Sequence, residues 1–267
     1  MYHPRINKNN VRLLGNLRAG RSLMFAHGFG TDQTAWRAVM RAFTDDYQIV
    51  LFDYVGANEQ TAMYFNPNRY TRLNAFADDV LDIIEDLQLR EVVYVGHSLG
   101  GMTGLLAANE EPDWFSKIVM LNASPRYVNE ANYVGGFDEA MLQTLFTHMQ
   151  GNFHAWANGF APLIMANPDR PHLANGFAQS LTAMRPDIAY AIAKMAFYSD
   201  HRADVVRLQH PTLLLQAQED PAVPPEVSCY LQEHIPNATL TFLEATGHLP
   251  HISDPEQIVS ALRAFLA

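Results

Sequence analysis

"EVVYVGHSLGGMTGLLAANE", residues 91–110, sets a short apolar run against a glycine-rich break and then a stretch with helical character. The run around Val92–Val95 is β-branched and aromatic, which suits a buried strand, and "GGMTGLLAANE" suits a helix. Between them Gly96-His97-Ser98-Leu99-Gly100 has the G-x-S-x-G form, in the strand–turn–helix setting that aims a serine hydroxyl out of the end of a sheet. Glycines at 96 and 100 leave room for a tight backbone there. Ser98 is therefore read as a nucleophile, with a plain glycine turn as the alternative.

The same alternation continues on both sides. "RSLMFAHG", "YQIVLFDY", "KIVMLNAS", "PTLLLQAQED" and "ATLTFLEATGH" read as strands, while "TAWRAVMRAF", "LNAFADDVLDIIEDLQL" and "PEQIVSALRAFLA" read as helices. Strands alternating with helices predict a mostly parallel central sheet with helices on both faces. Between Pro125 and about Asp200 the strand signal vanishes and four helical stretches replace it. The expected division is thus an α/β core over 1–124 and 200–267, with a four-helix cap over 125–199. In the helix after "DYVGA", the acidic run Asp78, Asp79, Asp82, Glu85 and Asp86 is expected to form a solvated face opposite Phe76, Val80, Ile83 and Ile84.

A serine hydroxyl needs a neutral imidazole to take its proton. Of eleven histidines, His248 in "EATGHLPH" follows the last strand, and His251 is the second candidate. The acid that orients the imidazole is sought at the end of "LLLQAQED", where Asp220 is favoured over its neighbour Glu219. The chain order Ser98, Asp220, His248 fits. "FAHGFGTD" follows the first inner strand, so the Phe29 N–H, with that of Leu99, is expected to form the oxyanion hole.

Composition excludes several classes. The chain has 267 residues and a formal net charge of -10, which disfavours nucleic acid or an anionic membrane as partner. Its apolar runs fall well short of the ~20 residues that span a bilayer. Phosphate-loop and metal-ligand spacings are not found, so no cofactor and no metal are expected. Cys229, the single cysteine, is expected to be a structural thiol, and the start of the chain does not read as a secretory signal, which makes the cytoplasm the expected location.

With these residues placed, the chain resembles the α/β-hydrolase superfamily, and more closely the branch holding the bacterial stress regulator RsbQ and the plant strigolactone and karrikin receptors. The likeness rests on "AHGFGTDQTAW", "VLFDYVGA", "VGHSLGGMTG", "YVGGFDE", "WANGFAP", "SDHRADV" and "GHLPH". It implies an α/β-hydrolase fold with a V-shaped cap of four helices, and Ser98, Asp220 and His248 as the triad. It also implies an apolar pocket lined by Phe29, Tyr127, Phe137, Leu145, Trp156, Phe160 and Phe197. The activity expected is cleavage of a small apolar ester or lactone; the alternative is a sensor of a butenolide-like ligand that signals to a protein partner at the cap. One departure concerns Asn58, which stands where relatives carry a second glycine after "DYVG"; a left-handed backbone is expected to be tolerated there.

Overall fold

The computed structural model describes residues 7–267. Its sheet comprises β1 (Arg12–Gly15), β2 (Ser22–Ala26), β3 (Gln48–Leu51), β4 (Val92–His97), β5 (Phe115–Leu121), β6 (Thr212–Glu219) and β7 (Ala238–Thr246). The order across the sheet is β1-β3-β2-β4-β5-β6-β7. Only β1, paired with β3, runs antiparallel. Successive side chains of a strand point to opposite faces. Here both faces are covered, so both alternating sets are apolar: Leu23, Phe25, Val93, Val95, Val119 and Leu121 fill one layer, while Met24, Val92, Tyr94, Ile118 and Met120 fill the other.

Helices α1 (Asn74–Asp86) and α2 (Leu99–Glu110) supply the second layer, and α7 (Pro225–His234) joins it with Val227 and Leu231. The opposite layer is closed by Trp36, Val39 and Phe43 together with Ile258 and Leu262 of α8 (Pro255–Leu266). Between β5 and β6 come α3 (Glu139–Gly151), α4 (Phe153–Met165), α5 (Pro171–Thr182) and α6 (Pro186–Tyr198). The two ends of this insertion are tied by an antiparallel bridge between Arg126 and Asp200 and by the His201 N–H donating to the Pro125 carbonyl at 2.8 Å.

The chain leaves β2 for β3 on one side, then returns to β4 and continues to β5 on the other. Loops diverge at such a switch point and open a crevice at the carboxyl ends of the strands. The loops carrying Phe29 and Ser98 both leave from that edge, which is why residues so far apart in sequence meet there.

Several sequence expectations are corrected. Strand β1 was not foreseen, because all four of its residues are exposed and carry no apolar alternation. The stretch "TAWRAVMRAF" is no single helix but a 3-10 turn (Gln33–Trp36), one α turn (Arg37–Met40) and another 3-10 turn (Arg41–Phe43). Asp79 does not belong to a solvated face: it is fully buried, bound by Lys8 Nζ at 2.7 Å, Arg69 Nη2 at 2.7 Å and the Tyr70 hydroxyl at 2.8 Å. A buried carboxylate persists only when paired in this way. Cys229 is exposed, not a packed structural thiol. Asn58 is extended, not left-handed, with φ of -153°; it caps the turn Glu59–Ala62 through its side chain, which accepts from the Thr61 N–H.

Candidate active site

Strand β4 delivers the chain to Ser98, whose φ of 53° and ψ of -119° form a sharp elbow before α2. This conformation is strained for a residue with a side chain. Neighbouring structure holds it, since the Ser98 N–H donates to the Leu121 carbonyl at 2.8 Å. The two flanking glycines answer to close approach: a Cβ on Gly96 would lie 2.4 Å from the Gly100 carbonyl, and one on Gly100 would lie 2.6 Å from the His27 carbonyl oxygen. Any larger residue at either place pushes backbone against backbone.

The loop after β7 brings His248 over this elbow, with its Nε2 2.9 Å from Ser98 Oγ. The loop is pinned at three points. The His248 N–H donates to the Ile164 carbonyl at 2.9 Å, and the His248 carbonyl accepts from His97 Nε2 at 2.7 Å and Asn122 Nδ2 at 3.1 Å. His97 thus turns away from the serine hydroxyl and holds the histidine loop from behind. Asn122 was not foreseen; a polar residue ending the apolar run of β5 is the only hint the sequence offers.

Asp220 follows the end of β6, and its Oδ2 lies 2.7 Å from His248 Nδ1. Its Oδ1 accepts from the Ala222 and Val223 N–H groups at 2.8 and 3.1 Å, which fixes the carboxylate plane. The competitor Glu219 is exposed, and its carbonyl accepts from the Gly247 N–H at 2.7 Å. Because Asp220 Oδ2 accepts the Nδ1 proton, Nε2 is left free to accept from Ser98. His251, the other candidate base, is not near Ser98 Oγ by any hydrogen bond; it is fully buried between the rings of Trp36 and His97, with centroids 4.5 and 4.4 Å away.

Phe29 lies beside Ser98 and Leu99 in the wall of a small cavity. Among the described residues, neither its N–H nor that of Leu99 has a hydrogen-bond partner. Leu99 opens α2, where the first N–H groups of a helix lack internal acceptors and carry a partial positive charge. Two free N–H groups on residues that share this cavity with Ser98 are of the kind that suits a developing oxyanion.

The seven pocket residues divide between two spaces. Phe29, Tyr127, Phe160 and Phe197 line the cavity of about 40 Å³ that touches Ser98 and His248, joined by Ile164, Phe177 and Ala222, which the sequence reading missed. Phe137, Leu145 and Trp156 instead line a much larger apolar groove between α3 and α4, about 1230 Å³ in volume. Phe160 and Ile164 line both spaces. The aromatic cap residues therefore serve two compartments, a division that periodicity does not encode.

Behind the site lies a set of buried histidines. Burial holds His251 down at about 3, helped by the neighbouring His248 and His27, and burial also holds His97 well below the usual imidazole range. A native-state pKa below the unfolded value near 6.5 means the unfolded chain binds more protons between the two values. Their contribution to stability is thus complete above pH 6.5 and drains away as the pH falls toward 3. His251→Phe, which keeps an aromatic ring beside Trp36, is expected to flatten the fall of Tm between pH 7 and 5, by up to about 1.4 kcal/mol per pH unit in stability. An unchanged slope in thermal melts across that range would contradict this.

The profile of a family described as the alpha/beta hydrolase family matches residues 23–261. A strigolactone esterase of Pisum sativum is 40% identical over 266 residues, covering 99% of this chain and 98% of that one. A karrikin insensitive 2 receptor of Petunia hybrida is 38% identical over 255 residues, covering 95% and 94%. Among solved structures, a hydrolase from Oleispira antarctica superposes with a TM-score of 0.94 at 32% identity, covering 98% of this chain and 96% of that one. No helix among the described residues is long and apolar enough to cross a membrane.

Proposed function

The chain belongs to the alpha/beta hydrolase family and is an ester-cleaving hydrolase, and on that premise we propose that Ser98, His248 and Asp220 carry out the reaction through an acyl-enzyme. The observation that carries this reading is the unbroken chain of contacts from Ser98 Oγ to His248 Nε2 at 2.9 Å and from His248 Nδ1 to Asp220 Oδ2 at 2.7 Å. In the first step Ser98 Oγ attacks the substrate carbonyl while its proton passes to His248 Nε2. The Phe29 and Leu99 N–H groups hold the oxyanion, and Asp220 stabilises the imidazolium that forms. His248 then protonates the leaving alkoxide. A water molecule, deprotonated by the same imidazole, releases the acid.

The small cavity at Ser98 and the large apolar groove beyond Phe160 and Ile164 support a substrate with a compact carbonyl end and an extended apolar body: a small ester, a lactone or a butenolide. No charged side chain other than the triad members lines the cavity, and the groove is walled by Leu145, Trp156 and Leu163 with its histidine, His148, on one helix. A panel of acetate esters with alcohols of increasing chain length tests this. Each methylene buried in the groove is expected to raise kcat/KM about fourfold until the groove is filled. Equal rates for apolar and charged alcohols would sink the proposed substrate class.

A second reading, in which hydrolysis accompanies signalling, draws on the likeness to the Petunia hybrida receptor and on the exposed apolar side chains Met141 and Leu163 along the groove. In that role the protein would pass the presence of a small ligand to a protein partner at the cap. Turnover of less than about one per minute on every ester in the panel, far under the usual enzyme range, would favour it.

A further inference from the structure

The hydroxyl of Tyr127 lies 3.3 Å from Ser98 Oγ, and Ser98 is its only hydrogen-bond partner among the described residues. Ser98 already gives its proton to His248 Nε2, so the Tyr127 O–H is the donor and the serine oxygen the acceptor. Burial pushes the phenol up to about 12, so it keeps its proton over the whole working range. The ring is fixed by Phe197 and Phe137, whose centroids lie 5.0 and 6.3 Å away. Tyr127 is therefore a buried, protonated donor aimed at the atom that is nucleophile in one half of the reaction and leaving group in the other.

We propose that Tyr127 is a further catalytic residue, whose O–H hydrogen bond to Ser98 Oγ speeds release of the acyl group and keeps the acyl-enzyme from accumulating. This rests on the acyl-enzyme reading above. In deacylation, the water oxygen bonds to the acyl carbon as His248 Nε2 takes a water proton. The tetrahedral intermediate then breaks its bond from carbon to Oγ, the electron pair goes to Oγ, and the proton on Nε2 follows it there. Charge builds on Oγ as that bond breaks, and a hydrogen bond to a charged acceptor is much stronger than one to a neutral ester oxygen. Tyr127 keeps its own proton throughout. In acylation the gain is smaller, because the free Ser98 oxygen already accepts this bond before it attacks, whereas the ester oxygen of the acyl-enzyme accepts it poorly. A contact of 3.3 Å is long for two hydroxyls at rest. Hydrogen bonds in catalytic sites commonly shorten only as charge develops.

The test is Tyr127→Phe, followed by stopped-flow hydrolysis of p-nitrophenyl acetate and by intact-mass spectrometry of samples quenched during turnover. The ring and its aromatic contacts remain, so thermal melts are expected to match the wild type closely. Deacylation is expected to slow about tenfold and acylation by distinctly less, so the burst approaches one nitrophenolate per site and acylated protein dominates the spectrum. Equal loss in both steps, or no change in deacylation, would overturn the role assigned to Tyr127. Failure of the underlying reading would look different: Ser98 would carry no acyl group in either protein, and Ser98→Ala would keep its turnover.

Discussion

Ser98→Ala is expected to fold as the wild type does and to hydrolyse p-nitrophenyl acetate more slowly by a factor on the order of 10⁴ or more. The reason is chemical rather than structural. Alanine also has a Cβ, so the left-handed elbow at φ of 53° is no more strained than before. The backbone bond from residue 98 to the Leu121 carbonyl survives, and what disappears is the oxygen that contacts His248 at 2.9 Å and Tyr127 at 3.3 Å. The Phe29 and Leu99 N–H groups, the proposed oxyanion donors, remain, so some rate above that of water is expected to persist. Initial rates and thermal melts measured together separate the two effects. A Tm drop of many degrees would mean that Ser98 matters to the fold, and retained turnover would remove it from the chemistry.

Asp220→Asn carries the second large effect, a fall in kcat of about 10⁴. Asparagine keeps an oxygen for the Ala222 and Val223 N–H groups that now bond Oδ1, so the turn after β6 is expected to stand. Its amide nitrogen then faces His248 Nδ1 and donates to it, which leaves the proton on Nε2. An imidazole in that tautomer has no lone pair for the Ser98 hydroxyl. Glu219→Gln is the internal control: that side chain is exposed and bonds to nothing in the site, so its rate is expected to stay within about twofold of the wild type. Comparable losses in both variants, in parallel kcat measurements, would contradict the role given to Asp220.

The parallel strands and the elbow were legible because each is written locally: apolar runs of strand length, glycines at 96 and 100, and a helical stretch at once after them. The positions of Asp220 and His248 followed from topology, since each stands at the carboxyl end of a strand, the edge where such a sheet gathers its loops. What was not legible depends on partners distant in the chain. Asp79 looked solvated because nothing near it in sequence hints at Lys8, 71 residues away, which closes over it together with Arg69 and Tyr70. Asn58 looked like a substitute for glycine, yet its side chain caps a helical turn and donates to Asp53, a role set by the loop that folds around it. Strand β1 is exposed on all four residues and exists because the edge of β3 was open to pairing. The separation of the cap aromatics into cavity and groove likewise follows from where Phe160 and Ile164 stand relative to Ser98, which no periodicity records.

The most direct test of a Ser98 acyl-enzyme is peptide mapping by mass spectrometry of wild-type protein acid-quenched during turnover of p-nitrophenyl acetate, with Tyr127→Phe run alongside to lengthen the lifetime of the adduct. An acetyl group on Ser98, absent from Ser98→Ala, is the expected result. Steady turnover with an unmodified Ser98 peptide in both proteins, or with the acetyl group on another residue that alone abolishes activity when replaced, would contradict it.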